Sequence, residues 1–264
     1  MRLASFEGGF GRIEGDALIP MGESLVDYLR TGDTSEGKPL ALKDVSLLAP
    51  VPSPGKIICV GLNYIDHAAE SGMDPPTTPV IFTKFANSVV GPDETVFVPS
   101  AARNVDYEAE LGVVIGRRAR EVPRAAAREY IAGYTCVNDL SSRSLQFLTS
   151  QWVLGKAVDS FLPMGPYLVT PDEVSDPQAL EIRCEVDGEL RQQSSTSEMI
   201  FSIVELIEFI TRTITLEVGD VIATGTPAGV GMGFNPPRYL ELGSEVVVEI
   251  EGVGRLVNRL EARR

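Results

Sequence analysis

The sequence predicts a predominantly β chain of the α+β class. Short runs rich in β-branched and aromatic residues recur along it, turn residues separate them, and one segment alone carries a well-marked helical stripe. In chain order, the first fifty or so residues read as short strands with turns at Gly8-Gly9 and Gly15-Asp16 and a short helix around Ser24 to Leu29. The stretch Ala49-Pro50-Val51-Pro52-Ser53-Pro54-Gly55 is a stiff connector. It divides the chain into a small N-terminal domain, residues 1–52, and a main domain, residues 53–264. Strands are expected at Ile57–Val60, Val80–Phe82, Thr95–Val98, Leu111–Ile115, Ile182–Val186, Val221–Ala223 and Val246–Ile250. Asp187-Gly188, between two alternating runs, signals a type I′ hairpin. Ser195 and Glu198 have capping-box spacing, ahead of an apolar stripe at Ile200, Ile203, Val204, Ile207 and Ile210. Many short strands with few long helices point to a curled sheet or sandwich rather than a doubly wound fold. Periodicity leaves the topology open.

Apolar residues at 44% and charged residues at 23% are ordinary values for a globular chain with a substantial core. The formal net charge of -14 argues against nucleic acid, because a phosphate-binding surface needs a basic stripe. No segment approaches the roughly 18 uninterrupted apolar residues of a membrane span. The start, Met1 to Glu7, lacks the apolar core of a secretory signal. Cys59, Cys136 and Cys184 are far apart and read as buried reduced thiols, not as a disulfide or zinc framework. The expectation is a cytoplasmic protein that binds neither membrane nor nucleic acid.

The chain contains one histidine, His67, so a histidine proton shuttle at neutral pH must use that side chain. His67 and Glu70 are spaced to share a face of a helical turn, where the carboxylate would orient the ring and raise its basicity. An exposed turn with an incidental ion pair fits the same spacing. Gly72, Pro75 and Pro76 must end that helix, and a short helix tethered by such a segment could act as a lid.

Glu108 and Glu110 stand two apart, which on a strand places both carboxylates on one face, about 7 Å apart along the chain. Glu-x-Glu also suits a solvated strand face. Asp139, in an apolar run, changes the balance, because an unpaired buried carboxylate costs several kcal/mol. Three oxygen donors favour Mg²⁺, Mn²⁺ or Ca²⁺ over zinc. Lys156 follows Trp152-Val153-Leu154-Gly155. It reads as a surface lysine by default, or, near a metal in an apolar setting, as a group holding a substrate carboxylate. The glycine- and threonine-rich run from Thr224 to Gly233 suits close backbone approach to a ligand. It is followed by Pro236-Pro237 instead of a helix, which excludes a dinucleotide-binding turn.

From about Lys56 to Leu260 the chain resembles the fumarylacetoacetate hydrolase superfamily. The resemblance rests on Asn-Tyr-x-x-His-x-x-Glu, Asp-Tyr-Glu-x-Glu-Leu, Gly-Tyr-x-x-x-Asn-Asp-x-Ser, Gly-Lys-x-x-Asp-x-Phe-x-Pro-x-Gly-Pro and Gly-Asp-Val-Ile-x-Thr-Gly-Thr-Pro-x-Gly-Val-Gly, in family order. It implies a mixed β-sandwich roll for the catalytic domain, homodimers, and Mg²⁺ or Mn²⁺ held by Glu108, Glu110 and Asp139. It implies a His67–Glu70 dyad on a mobile lid, with Lys156, Arg143, Gln146 and Thr226 around a small anionic oxo-acid substrate. One position departs from the family pattern: Ser144 stands where an aspartate is usual, which puts the support of Arg143 in question. The leading expectation is cleavage of a carbon–carbon bond in a 2,4-dioxo acid (an acylpyruvate) by water that His67 activates, Lys156 stabilising negative charge on the substrate. The alternative keeps the site for decarboxylation of oxaloacetate or isomerisation of 2-hydroxyhepta-2,4-diene-1,7-dioate. A third reading is a catalytically idle, metal-stabilised binding protein, which chelation would unfold.

Overall fold

The structure, a computed structural model, describes residues 1–263; the last residue of the expected 53–264 unit lies outside them. Among the described residues two large sheets dominate. The longer runs through strands Leu40–Ala41, Ala17–Gly22, Gly9–Glu14, Arg2–Phe6, Leu162–Val169, Ile131–Asn138, Ala109–Ile115, Val221–Ala223, Ile57–Gly61 and Val80–Lys84. The second, five-stranded, runs Glu189–Ser195, Glu181–Val186, Glu245–Ile250, Gly254–Ala262 and Thr95–Val98. After Val80–Lys84 the chain turns back, and Val89–Val90 pairs in parallel with Leu162–Val169. The chain thus returns from the sheet's last strand to its middle, and the sheet curls into a roll. The N-terminal strands are continuous with it, because Arg2 and Leu3 pair with Val169 and Leu168.

The central strands are buried on both faces, and their sequences show why. Along Ile57–Gly61, Ile58 and Val60 join the core between the two sheets, while Ile57 and Cys59 join a second core with Leu3, Phe10 and Leu25. Along Ala109–Ile115, Leu111 and Val113 face the first core and Val114 the second. Strand side chains alternate faces, so burial on both sides makes a continuous apolar run. All three cysteines are buried and unpaired. Asp187 and Gly188 both have positive φ, at 52° and 77°, as the expected hairpin turn requires. The helix near Ser24 spans Leu25–Thr31, with the Ser24 hydroxyl accepting from Asp27 N–H.

One expectation is corrected. Ser195 and Glu198 do not open the amphipathic helix: Ser195 ends a strand and caps a single turn, Thr196–Glu198. The helix is Ile203–Thr211, and the Glu205 carboxylate accepts from Ser202 N–H at 2.8 Å and Oγ at 2.6 Å. The displacement is imposed by Asn63. Its backbone carbonyl accepts from Ile200 N–H at 2.7 Å and its side-chain oxygen from Phe201 N–H at 2.8 Å, which holds these residues out of helix. Ser202→Ala is accordingly expected to cost about 1 kcal/mol in chemical denaturation. Glu198→Ala, at an exposed position, should stay within about 0.5 kcal/mol. No helix among the described residues is long and apolar enough to cross a membrane.

Candidate active site

Four strand ends meet at one place in the roll. The antiparallel pairing of Ala109–Ile115 with Ile131–Asn138 and with Val221–Ala223, and the parallel pairing of Val221–Ala223 with Ile57–Gly61, bring Ala109 with its neighbour Glu110, Asn138, Ala223 and Gly61 to the same edge. The residues just past those ends are Glu108, Asp139, Thr224 and Leu62. The expected metal triad is assembled there, with one carboxylate oxygen from each of Glu108, Glu110 and Asp139 lying within 4.8 Å of the others. All three residues are buried, not on a solvated strand face.

Their partners divide unequally. Lys156 Nζ donates to Glu108 Oε2 at 2.6 Å and to Asp139 Oδ2 at 2.9 Å. Lys84 Nζ donates to Asp139 Oδ1 at 2.6 Å and to the Leu140 carbonyl at 2.9 Å. Arg143 Nη2 lies 2.8 Å from Glu108 Oε1. Glu110 meets no cationic side chain among the described residues; its Oε2 accepts from Gly225 N–H at 2.9 Å. Burial pushes the Glu108 carboxyl up, but Lys156 and Arg143 outweigh it and hold the group down at about 2. For Glu110, burial and the charges of Asp139 and Glu108 act together and lift it well above the carboxylate range. Lys84 is lowered by burial against the pull of Asp139, whereas for Lys156 burial is outweighed by Asp139 and Glu108 and the ammonium is raised.

Asp106, Glu108, Glu110 and Asp139 are four buried carboxylates facing three buried cations, Lys84, Arg143 and Lys156. The surplus of negative charge, the all-oxygen donor set and the one carboxylate without a cation fit a hard divalent ion. A consequence can be measured. Because the Glu110 carboxyl is raised, the metal-free protein keeps a proton there that an unfolded chain gives up above the ordinary carboxylate range. Metal-free stability therefore falls as pH rises through the window between those two values. Binding Mg²⁺ or Mn²⁺ is expected to expel that proton, so affinity weakens as pH is lowered. Calorimetry in buffers of different ionisation enthalpy checks this; uptake unaccompanied by proton release would refute it.

The dyad forms on a helix, Ile65–Glu70. Asp66 Oδ1 accepts from His67 N–H near its start, and Gly72, at φ 64°, follows its end. His67 Nδ1 lies 3.2 Å from Glu70 Oε2, which leaves Nε2 as the free ring nitrogen. Glu70 Oε1 accepts from Gly229 N–H at 2.9 Å, and Asp66 Oδ2 accepts from the Ser194 hydroxyl at 2.9 Å. The helix is thus tied to the glycine-rich loop and to the second sheet. Gly225 and Gly229 both have φ of 99°, and a Cβ on Gly229 would lie 2.1 Å from the Arg191 carbonyl. Only glycine lets those two N–H groups reach Glu110 and Glu70.

Arg143 does not depend on Ser144. Its Nε donates to Asp106 Oδ2 at 2.9 Å and its Nη1 to Gln146 Oε1 at 2.9 Å. Asp106 is itself fixed by Gly231 N–H at 2.6 Å and Met232 N–H at 3.0 Å. Ser144 Oγ instead donates to the Arg103 carbonyl at 3.0 Å. Thr226 Oγ1 accepts from Gln192 Nε2 at 2.8 Å, so its own proton is free to donate.

A cavity of about 230 Å³ joins these groups, with His67, Glu108, Glu110, Arg143, Gln146, Lys156 and Thr226 all in its wall. Asp139 is not in that wall but is bonded to Lys156, which is. No function is expected of Lys84 or Asp106 from the sequence. The signal for Lys84 was its alternation with Val80 and Phe82, which turns a lysine inward on an apolar strand.

The fumarylacetoacetate (FAA) hydrolase C-terminal family matches residues 56–261. The mitochondrial oxaloacetate tautomerase FAHD2B of Bos taurus is 42% identical over 92% of this chain and 78% of its own length. The fumarylacetoacetate hydrolase of Exiguobacterium antarcticum superimposes with a TM-score of 0.90 at 38% identity, covering 100% of both chains. The 2-hydroxyhepta-2,4-diene-1,7-dioate isomerase of Mycobacterium marinum gives a TM-score of 0.84 at 38% identity, over 99% of this chain and 97% of that one.

Proposed function

Because this chain belongs to the fumarylacetoacetate hydrolase family, we propose that it moves a proton between carbon and oxygen in a small 2-oxo acid, interconverting enol and keto forms. One observation carries the reading: the single histidine, oriented by Glu70, lines the same cavity as Glu108, Glu110, Arg143 and Lys156. The tautomerase and isomerase relatives support this reading ahead of the carbon–carbon cleavage expected from the sequence. Proton transfer needs an acid–base group but no attacking water.

Glu108, Glu110 and Asp139 would hold Mg²⁺ or Mn²⁺, which when bound supplies Lewis acidity toward the oxo-carboxylate end of the substrate. His67 Nε2 takes the proton from the carbon next to the oxo group and delivers it to the enolate oxygen, ketonisation running the same transfer in reverse, while Glu70 holds the ring. Thr226 offers its hydroxyl proton to a substrate oxygen. Gln146, whose Oε1 is occupied by Arg143, offers its amide N–H groups. Lys156 keeps Glu108 ionised and adds positive charge where the enolate oxygen develops.

The same dyad could activate water, and the full-length likeness to a fumarylacetoacetate hydrolase favours acylpyruvate cleavage as the second reading. The test sets enol oxaloacetate and a panel of acylpyruvates before the Mg²⁺- and Mn²⁺-loaded protein. Ketonisation faster than in buffer, with deuterium entering C3 of recovered oxo acid in D₂O, is expected. Acid-plus-pyruvate products without exchange would replace the first reading with the second.

A further inference from the structure

The cavity has two chemically distinct ends. Its floor carries the buried groups Glu108, Glu110, Arg143 and Lys156, and its outer wall is apolar. Phe147 and Met73 stand at the mouth, 58% and 53% exposed. Between mouth and floor Phe82 and Trp152 pack edge to face, with ring centroids 5.4 Å apart. The packing is built into the backbone: Gly61 lies under Trp152, and a Cβ there would approach the indole to 2.8 Å. The cationic side chains in the cavity wall are Arg143 and Lys156, besides the titratable His67. Both are already paired in charge, Arg143 with Asp106 and Glu108, its Nη2 making no hydrogen bond beside the Glu108 carboxylate at the floor, and Lys156 with Glu108 and Asp139.

We infer that this site selects 2-oxo acids whose far end is uncharged and apolar, an alkyl or aryl group resting on Phe82, Trp152, Phe147 and Met73. The inference rests on the reading that the floor holds the oxo-carboxylate end. A short diacid such as oxaloacetate keeps both carboxylates near the floor. In a longer one, the second carboxylate is carried along a wall that offers it no free cation, where it must stay hydrated or lose its solvent uncompensated. An alkyl chain of the same length instead leaves water on entering.

Calorimetric titration of the Mg²⁺-loaded protein with 2-oxohexanoate and 2-oxoadipate, equal in carbon count, tests this. The monoacid is expected to bind at least about tenfold more tightly, each buried methylene contributing several-fold. Phe147→Arg, at an exposed position that leaves the core alone, is expected to narrow or invert that ratio by supplying a cation. Equal or tighter binding of 2-oxoadipate to the parent protein overturns the inference and leaves the proposed reaction standing. Failure of both acids to bind while Mg²⁺ binds refutes the assignment of the floor, and the inference falls with it.

Discussion

Replacing His67 with alanine is expected to lower kcat by about 10²–10⁴-fold while Mg²⁺ affinity and the unfolding midpoint stay close to those of the parent. The reason is positional. His67 lines the cavity, and its recorded side-chain partner is Glu70, so its removal takes away the acid–base nitrogen without touching the carboxylate triad. Glu70 keeps its bond from Gly229 N–H, so the helix remains tied to the loop. Glu70→Gln should give a smaller loss, because the amide can still hold the ring but brings no negative charge to it. Full retention of ketonisation by His67→Ala with metal saturating would remove histidine from the reaction. A large loss of metal affinity would show instead that the triad depends on it.

Lys84→Met is expected to destabilise the protein by about 3–5 kcal/mol in urea denaturation, the usual cost of breaking a buried ion pair from one side. The Lys84 and Asp139 side chains are both at 0% exposure. The substitution leaves Asp139 Oδ1 and the Leu140 carbonyl without their donor in a place that water does not reach. Lys156 still grips the other oxygen of Asp139, so the variant folds with a stronger excess of negative charge at the cluster. Added Mg²⁺ should therefore raise its Tm by more than it raises that of the parent. A loss below about 1 kcal/mol, or identical metal-induced shifts, would show that Lys84 does not neutralise the site.

The two residues differ in how plainly the chain announces them. His67 and Glu70 meet because a helical turn brings positions three apart together, which any local reading can find. Lys84 and Asp139 are 55 positions apart and meet because the sheet rolls over after Ser88. The helix boundary shows the same contrast. Ser195 and Glu198 match a capping pattern as well as Ser202 and Glu205 do, and the choice is made by Asn63, about 140 residues upstream, which takes the intervening backbone hydrogens. Ser144 is instructive in the opposite sense. Judged by motif alone it weakens Arg143, but Asp106, fixed by the backbone of Gly231 and Met232, supplies that support from another segment.

The amino-acid order by itself determined many of the strands, though not Ile131–Asn138, Leu162–Val169 or Gly254–Ala262, together with the hairpin turn, the dyad spacing and the identity of three acidic side chains suited to a hard cation. Each depends on a backbone period or on the chemistry of single residues. Only the tertiary structure decided how the buried charges are shared, with Lys84, Lys156 and Arg143 neutralising Asp139, Glu108 and Asp106 and leaving Glu110 without a cation. Coulomb interactions act through space in a medium of low polarisability. Which charge is left over is therefore a property of distances across the roll, and no spacing along the chain contains it.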